Sequence, residues 1–172
     1  MIFREELNRI PINSPTFNIA KVIEDFPALQ RLVDMGVDIS FWEENFKNGQ
    51  AIEIAMRLDF ENDVQPRILW LLDRGIDLEK QAVIFTKTPQ IFNKSLDELT
   101  KMNEYLQSKT FSKESIRDII VDTNGLWLSN TVVEIDSKLG YFQKKFGLNG
   151  NEVRKLATGR PGFILWTGVP FQ

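Results

Sequence analysis

From Ile84 to Leu128 the apolar positions follow a helix–turn–helix rhythm that is entered and left through the same kind of turn. A Thr88-Pro89-Gln90-Ile91-Phe92 stretch punctuates the chain. Ser95-x-x-Glu98 then has the form of a capping box opening a helix with Leu96, Leu99, Met102 and Leu106 along one face. Thr110-Phe111 closes that helix. Ser112 is placed to cap a second one, with Ile116, Ile119 and Ile120 at helical spacing. Asn124-Gly125-Leu126-Trp127 then stands where the proline punctuation stood before. The pattern recurs on both sides: Gly75, Thr110 and Gly147 align as the turn inside each unit, and Pro89, Asn124 and Pro161 as the punctuation after it. Successive anchors are 35 and then 37 residues apart, a period typical of helical repeats. Ile76, Phe111 and Leu148 follow the inner turn, and Ile84, Ile119 and Leu156 sit in the second helix. The bulky pairs Ile91-Phe92, Leu126-Trp127 and Phe163-Ile164 follow each punctuation.

The same reading extends outward from this unit. Met1–Pro15 is a polar lead with little periodicity, and Thr16 to Met35 reads as two short helices broken near Phe26-Pro27. Ser40-x-x-Glu43 is a second capping-box pattern, Asn48-Gly49 a turn signal, and Ala51 to Leu58 a further helix. Regular punctuation is missing here, as expected of a solenoid's end cap. The first full unit is expected near Asp59, with Pro66 in the first turns and Ile68 to Leu72 crowding its first helix. The last opens at Thr131-x-x-Glu134, carries Ile135, Leu139, Phe142 and Phe146 on one face, and continues through Asn149-x-x-Glu152 to Val153, Leu156 and Ala157. These signals predict an all-α helical-repeat solenoid: residues 1–58 form an acidic lead and helical cap, and residues 59–172 about three repeat units. The apolar run Phe163 to Trp166 is unlike a polar terminal cap, so the last unit is expected to be truncated and the natural protein to continue.

Composition removes most chemistry. The 172 residues include no histidine and no cysteine, which excludes Ser-His-Asp and Cys-His catalysis, disulfides and the commonest metal ligands. Asp118 and Asp122 share a helical face without metal-ligand spacing, and Gly159 to Gly162 is a turn rather than a phosphate loop. The chain is therefore expected not to be an enzyme and to need no cofactor or metal. No run of about 18 apolar residues predicts a membrane span. The formal charge of −3 is unevenly spread. Residues 1–86 carry 9 Lys and Arg against 15 Asp and Glu, and residues 87–172 carry 12 against 9. The repeat region is mildly basic and the first half acidic, which points to separate roles.

Superposing the last two units places Arg117 on Arg154 and Lys101 on Lys138, with Lys155 and Arg160 adding to the last unit. A basic residue recurring at one helical position would make a stripe able to neutralise backbone phosphates and to render affinity salt-dependent. The plain alternative is that these side chains solvate helices and pair with neighbouring carboxylates. Phe92, Trp127, Phe163 and Trp166 could stack bases, but their recurrence beside the punctuation favours packing between units. Single-stranded RNA readers also have units near this length, yet lack the punctuation. A protein-binding adaptor, using its groove or the acidic N-terminal region, is the competing class.

The stretch FTKTPQIFNKSLDELTKMNEYLQSKTFSKESIRDII resembles the motif of the mitochondrial transcription termination factor (mTERF) family: a proline turn, a Leu-rich helix, a Gly-Phe-Ser-like turn and a second helix. LQRLVDMGVDI, MRLDFENDV and LGYFQKKFGL are similar to one animal branch of that family, so the resemblance covers about Thr16 to Pro170 but only the N-terminal part of such a protein. It implies a left-handed superhelix of helix–helix–3₁₀ units with a basic groove for double-stranded nucleic acid. It implies location in the mitochondrial matrix and a role in organelle DNA transcription. For that branch it also implies binding of large-subunit ribosomal RNA during ribosome assembly. A presequence would be Arg-rich and acid-poor, whereas Glu5 and Glu6 stand beside Arg4 and Arg9. Asn124 departs from the motif proline, and the C-terminal units that would extend the groove are absent from this stretch.

Overall fold

The computed structural model describes residues 23–46 and 50–166, and within them every regular element is helical. In chain order these are α1 (Pro27–Met35), α2 (Ile39–Asn45), α3 (Gln50–Met56), a π-helical turn (Phe60–Val64), α4 (Gln65–Leu72) and α5 (Leu78–Lys87). There follow a 3₁₀ turn (Pro89–Asn93), α6 (Leu96–Ser108), α7 (Lys113–Asp122), a second 3₁₀ turn (Leu126–Ser129), α8 (Val132–Phe146), α9 (Gly150–Gly159) and α10 (Pro161–Leu165). The lead Met1–Pro15, the predicted helix before Ile23 and the Asn48-Gly49 turn lie outside the described residues.

One three-residue device makes each hairpin. A left-handed residue ends the first helix, an apolar residue turns inward, and a short polar side chain caps the second helix. Gly75-Ile76-Asp77, Thr110-Phe111-Ser112 and Gly147-Leu148-Asn149 all follow it, with φ of 78°, 69° and 61° at the first position. The amide after each left-handed residue closes a wide loop onto the first helix: Ile76 N–H donates to Leu71 O (3.1 Å), Phe111 to Leu106 O (3.1 Å) and Leu148 to Gln143 O (3.0 Å). This six-to-one bond satisfies carbonyls that a helix end would otherwise leave open. The N-terminal region uses the device too. Gly36 has φ 107°, Val37 N–H donates to Leu32 O (3.0 Å), and the Asp38 carboxylate accepts from Phe41 N–H. Asp38, rather than the expected Ser40, therefore caps α2. Ser40 instead donates its hydroxyl to Asp38 Oδ1, since Asp38 follows Gly36-Val37 at the hairpin spacing.

The three later first helices do not all start alike. Ser95 and Thr131 form reciprocal capping boxes with Glu98 and Glu134, as their spacing predicts. Asp59 caps the π-helical turn that runs straight into α4, where Pro66 lies in the first turn and leaves no helical donor unpaired. The punctuations also differ. Thr88 ends α5 at φ −132° and ψ 65°, before Pro89. At the second, Asn124 (φ 50°) and Gly125 (φ 81°) are both left-handed, and Gly125 N–H donates to Ile120 O at 2.7 Å. Proline, fixed near φ −65°, cannot take that conformation, so the departure from the motif residue brings a different turn.

The hairpins stack on one continuous core running from Leu29 to Ile164. Ile84, Phe85, Ile119, Ile120 and Ala157 are almost fully enclosed, while Leu156 is half-buried. The backbone carbonyl at the punctuation receives a side-chain hydrogen bond from the preceding unit in both cases: Thr88 Oγ1 donates to Asn124 O (2.7 Å) and Trp127 Nε1 to Pro161 O (3.0 Å). Likewise Trp42 Nε1 donates to Thr86 O (2.9 Å), tying α2 to the end of α5. Phe92 and Trp127 are thus buried between units as expected. Phe163 is 44% exposed while packing at 5.3 Å on Phe142, and Trp166 is 83% exposed. Neither is enclosed by the other described elements. They depart from the expected pattern of packing between units.

Candidate nucleic-acid interface

Arg117 and Arg154 each lie five residues beyond the N-cap of a second helix, Ser112 in one and Asn149 in the other. That register turns both side chains toward the hairpin turn of the preceding unit. Arg117 lies over Gly75, with Cδ 3.5 Å from where a Cβ on that glycine would stand. Arg154 Nη1 donates to Lys109 O at 3.2 Å, next to Thr110, and its Nη2 donates to Asn151 Oδ1. The arginines share a position, and that position is a seam between units.

Their electrostatic settings differ. Arg117 donates through Nε and Nη2 to Asp118 Oδ1, both at 3.1 Å, so a carboxylate sits beside the charge. Arg154 has no ion pair among the described residues. Lys101 pairs at 2.8 Å with Asp97 one helical turn earlier. The Asp97 hydrogen bond, and then its charge, raise the Lys101 pKa. Lys101 is the solvated helix pair that the plain alternative describes. Nor does it share a position with Lys138. Ser95 and Thr131, Leu99 and Ile135, and Leu106 and Phe142 are each separated by 36 residues, whereas the two lysines are 37 apart. One residue is about 100° round a helix, so the lysine pair does not continue a stripe. Lys138 is half-buried, Lys155 and Arg160 are exposed, and none of the three forms an ion pair among the described residues.

The observed element boundaries show where positive charge concentrates. Residues 59–94 hold five Lys and Arg against six Asp and Glu, and residues 95–130 hold four against six. Residues 131–160, the α8–α9 hairpin, hold six against three. The basic surface is thus graded toward the last hairpin rather than evenly striped. Lys144 and Lys145, in the last turn of α8, belong to it and were not singled out from the sequence. Counting charge by repeat unit instead of by chain half would have found them. The structure brings Arg154 and Lys155 together on one cleft of about 380 Å³, and places Arg117 on another of about 340 Å³ between the preceding hairpins.

Two further arginines are structural. Arg67 is buried, donates to Asp63 O (2.6 Å) and Lys94 O (2.5 Å), and has its pKa lowered by burial. Arg74 lies 3.4 Å from the Trp70 ring centroid and donates to Asn103 Oδ1, with burial again lowering its pKa. Both residues were silent in the sequence because nothing there marks a cation as buried.

These features define an all-α protein of stacked helix hairpins in which positive charge outweighs negative only on the last hairpin, among the described residues. No described helix is long and apolar enough to cross a membrane. No protein-family model matches the chain. It is 38% identical over 152 residues to "Transcription termination factor 3, mitochondrial" of Drosophila melanogaster, an alignment covering 88% of this chain and 42% of that protein. It is 37% identical over 147 residues to the mouse protein of the same name, covering 86% of this chain and 34% of the relative. The chain belongs to the mitochondrial transcription termination factor family, and it spans between a third and a half of the length of the curated relatives it matches.

Proposed function

We propose that this chain is the nucleic-acid-binding portion of a mitochondrial factor that regulates organelle DNA transcription, acts without catalysis, and works in the matrix. The observation that carries the reading is the sequence match to relatives named as mitochondrial transcription termination factors, over 88% of the chain in one case. The geometry agrees with it. Hairpins repeating with one turn device suit the left-handed solenoid that the family resemblance implies, and Arg154, Lys155 and Arg160, none in an ion pair among the described residues, supply phosphate-neutralising charge on the last unit. Contacts of this kind read shape and charge rather than bases, so they serve a DNA duplex or a structured RNA equally. On that ground, and on the family resemblance, the reading extends to large-subunit ribosomal RNA during ribosome assembly.

The test is a salt titration of binding to a mitochondrial DNA duplex and to structured large-subunit ribosomal RNA, read by fluorescence anisotropy. Affinity falling steeply with salt, with a shallower slope for Arg154→Ala/Lys155→Ala, is the expected result. Binding to neither polymer, together with salt-insensitive capture of a mitochondrial protein, would replace this reading with that of a helical-repeat adaptor.

A further inference from the structure

We propose that the cleft between the α6–α7 turn and α9 is a site for a phosphate group, and that the equivalent cleft one hairpin earlier is closed to anions by its own carboxylates. The inference deepens the nucleic-acid reading and rests on it for the polymeric source of the phosphate. The volume of about 380 Å³ lies in the range of small-ligand clefts, roughly 300–1,000 Å³.

The two clefts share three aligned lining positions, Gly75 with Thr110, Glu114 with Asn151 and Arg117 with Arg154, and differ in their other walls and in charge. The second helices superpose with a shift of 37 residues, from Ser112 and Arg117 to Asn149 and Arg154. Under that shift Glu114 becomes Asn151 and Asp118 becomes Lys155. The earlier cleft is walled by Arg74, Lys113 and Arg117 against Asp73 and Glu114, and Asp118, outside the lining, accepts from Arg117 at 3.1 Å, so acids offset its cations. The later one holds Arg154 and Lys155, and its remaining walls carry no carboxylate. Two of the five Arg154 N–H bonds are used, on Lys109 O and Asn151 Oδ1, which fixes the guanidinium and leaves donors for a ligand. Hydroxyl donors stand opposite. Ser112 Oγ donates to Ser115 Oγ at 3.0 Å, leaving the Ser115 hydroxyl hydrogen free, and Thr110 and Thr158 flank it. A fixed guanidinium, an unpaired ammonium and hydroxyl donors suit a phosphate monoester or diester.

A reciprocal exchange tests the proposal. Asn151→Glu/Lys155→Asp gives the later cleft the acids of the earlier one, and Glu114→Asn/Asp118→Lys does the reverse. Amide NMR shifts are followed with inorganic phosphate, and affinity for a DNA duplex is followed across salt. The expected result is that phosphate shifts the amides of Ser115, Asn151 and Lys155. In the acidic exchange those shifts vanish and duplex affinity drops tenfold or more. The reverse exchange brings new shifts around Arg117. A glutamate at 151 remains in the first turn of α9, which tolerates negative charge, so melting should be unchanged. If it is not, the exposed Lys155→Ala alone carries the test. Phosphate shifts equal in both clefts, or none in the later one, overturn the proposal. If wild-type duplex binding is salt-steep yet indifferent to the acidic exchange, the cleft fails and the nucleic-acid reading stands. If neither the duplex nor structured ribosomal RNA binds while phosphate still shifts the cleft amides, the site takes a free phosphate ester and the nucleic-acid reading fails.

Discussion

Gly125 and Ile84 meet across the seam between two hairpins: a Cβ on Gly125 would stand 2.7 Å from Cγ2 of Ile84. No side chain fits there without displacing a fully buried isoleucine. The left-handed φ of 81° adds its own cost for any L-residue. Gly125→Ala should therefore destabilise the protein by about 2–4 kcal/mol, the sum of a left-handed penalty and overpacking. Urea denaturation measures it. In an Ile84→Ala background the added cost of Gly125→Ala should shrink. Costs that simply add would show that contact with Ile84 is not the cause.

Arg67 holds the π-helical turn to the far end of the first 3₁₀ turn through the carbonyls of Asp63 and Lys94. Arg67→Met keeps the bulk and removes both donors from two part-buried carbonyls, at an expected cost of about 1–3 kcal/mol. Arg67→Lys should restore little, because one ammonium on a flexible stem lacks the fork that spans two carbonyls. A urea midpoint for Arg67→Met equal to wild type would reduce this contact to decoration.

How much of this could be read beforehand differs between local and non-local features. The hairpin turns at Gly75, Thr110 and Gly147 and the capping boxes at Ser95 and Thr131 were legible, because each is a short-range pattern with one backbone solution. At Gly36-Val37-Asp38 the glycine was legible as a helix end, but the cap at Asp38 was missed. Helix α3 follows this hairpin where the next two have a 3₁₀ turn, so the matching punctuation was absent. Among the candidate site residues, the equivalence of Arg117 and Arg154 followed from spacing alone. Whether each had a carboxylate beside it did not follow, since that depends on which side-chain contacts form at the seam. The supposed match of Lys101 with Lys138 failed on a single residue. Helix α8 is two residues longer than α6, so aligning by the turns shifts the front of the helix out of register.

Tyr105 donates its hydroxyl to Asp136 at 2.7 Å, linking α6 to α8. Burial, followed by the Asp136 hydrogen bond and charge, pushes its pKa far above the usual phenol value. The folded state thus keeps the phenolic proton at a pH where the unfolded chain loses it. The contribution is fully present below about pH 10, the unfolded value, and declines as pH rises beyond it. Thermal melts from pH 8 to 11 should show wild-type stability falling above pH 10, and Tyr105→Phe falling less. Parallel curves for the two proteins would remove the Tyr105–Asp136 bond as the source.

Thr110 is a β-branched residue at φ 69°, where the matching positions Gly75 and Gly147 are glycines. A threonine there carries steric strain, and its amide, donated to Gln107 O at 2.9 Å, does not need the side chain. Thr110→Gly should relieve that strain. The larger entropy of glycine in the unfolded chain offsets part of the gain, leaving a net stabilisation of about 0.5–1 kcal/mol. Because Thr110 also lines the later cleft, the substitution separates two roles. Strain alone predicts a higher denaturation midpoint with phosphate-induced shifts unchanged. A raised midpoint with weakened shifts would mean that the threonine is kept, at a cost in stability, for its hydroxyl in the cleft. A lowered midpoint would mean that its methyl group packs well enough to outweigh the backbone strain.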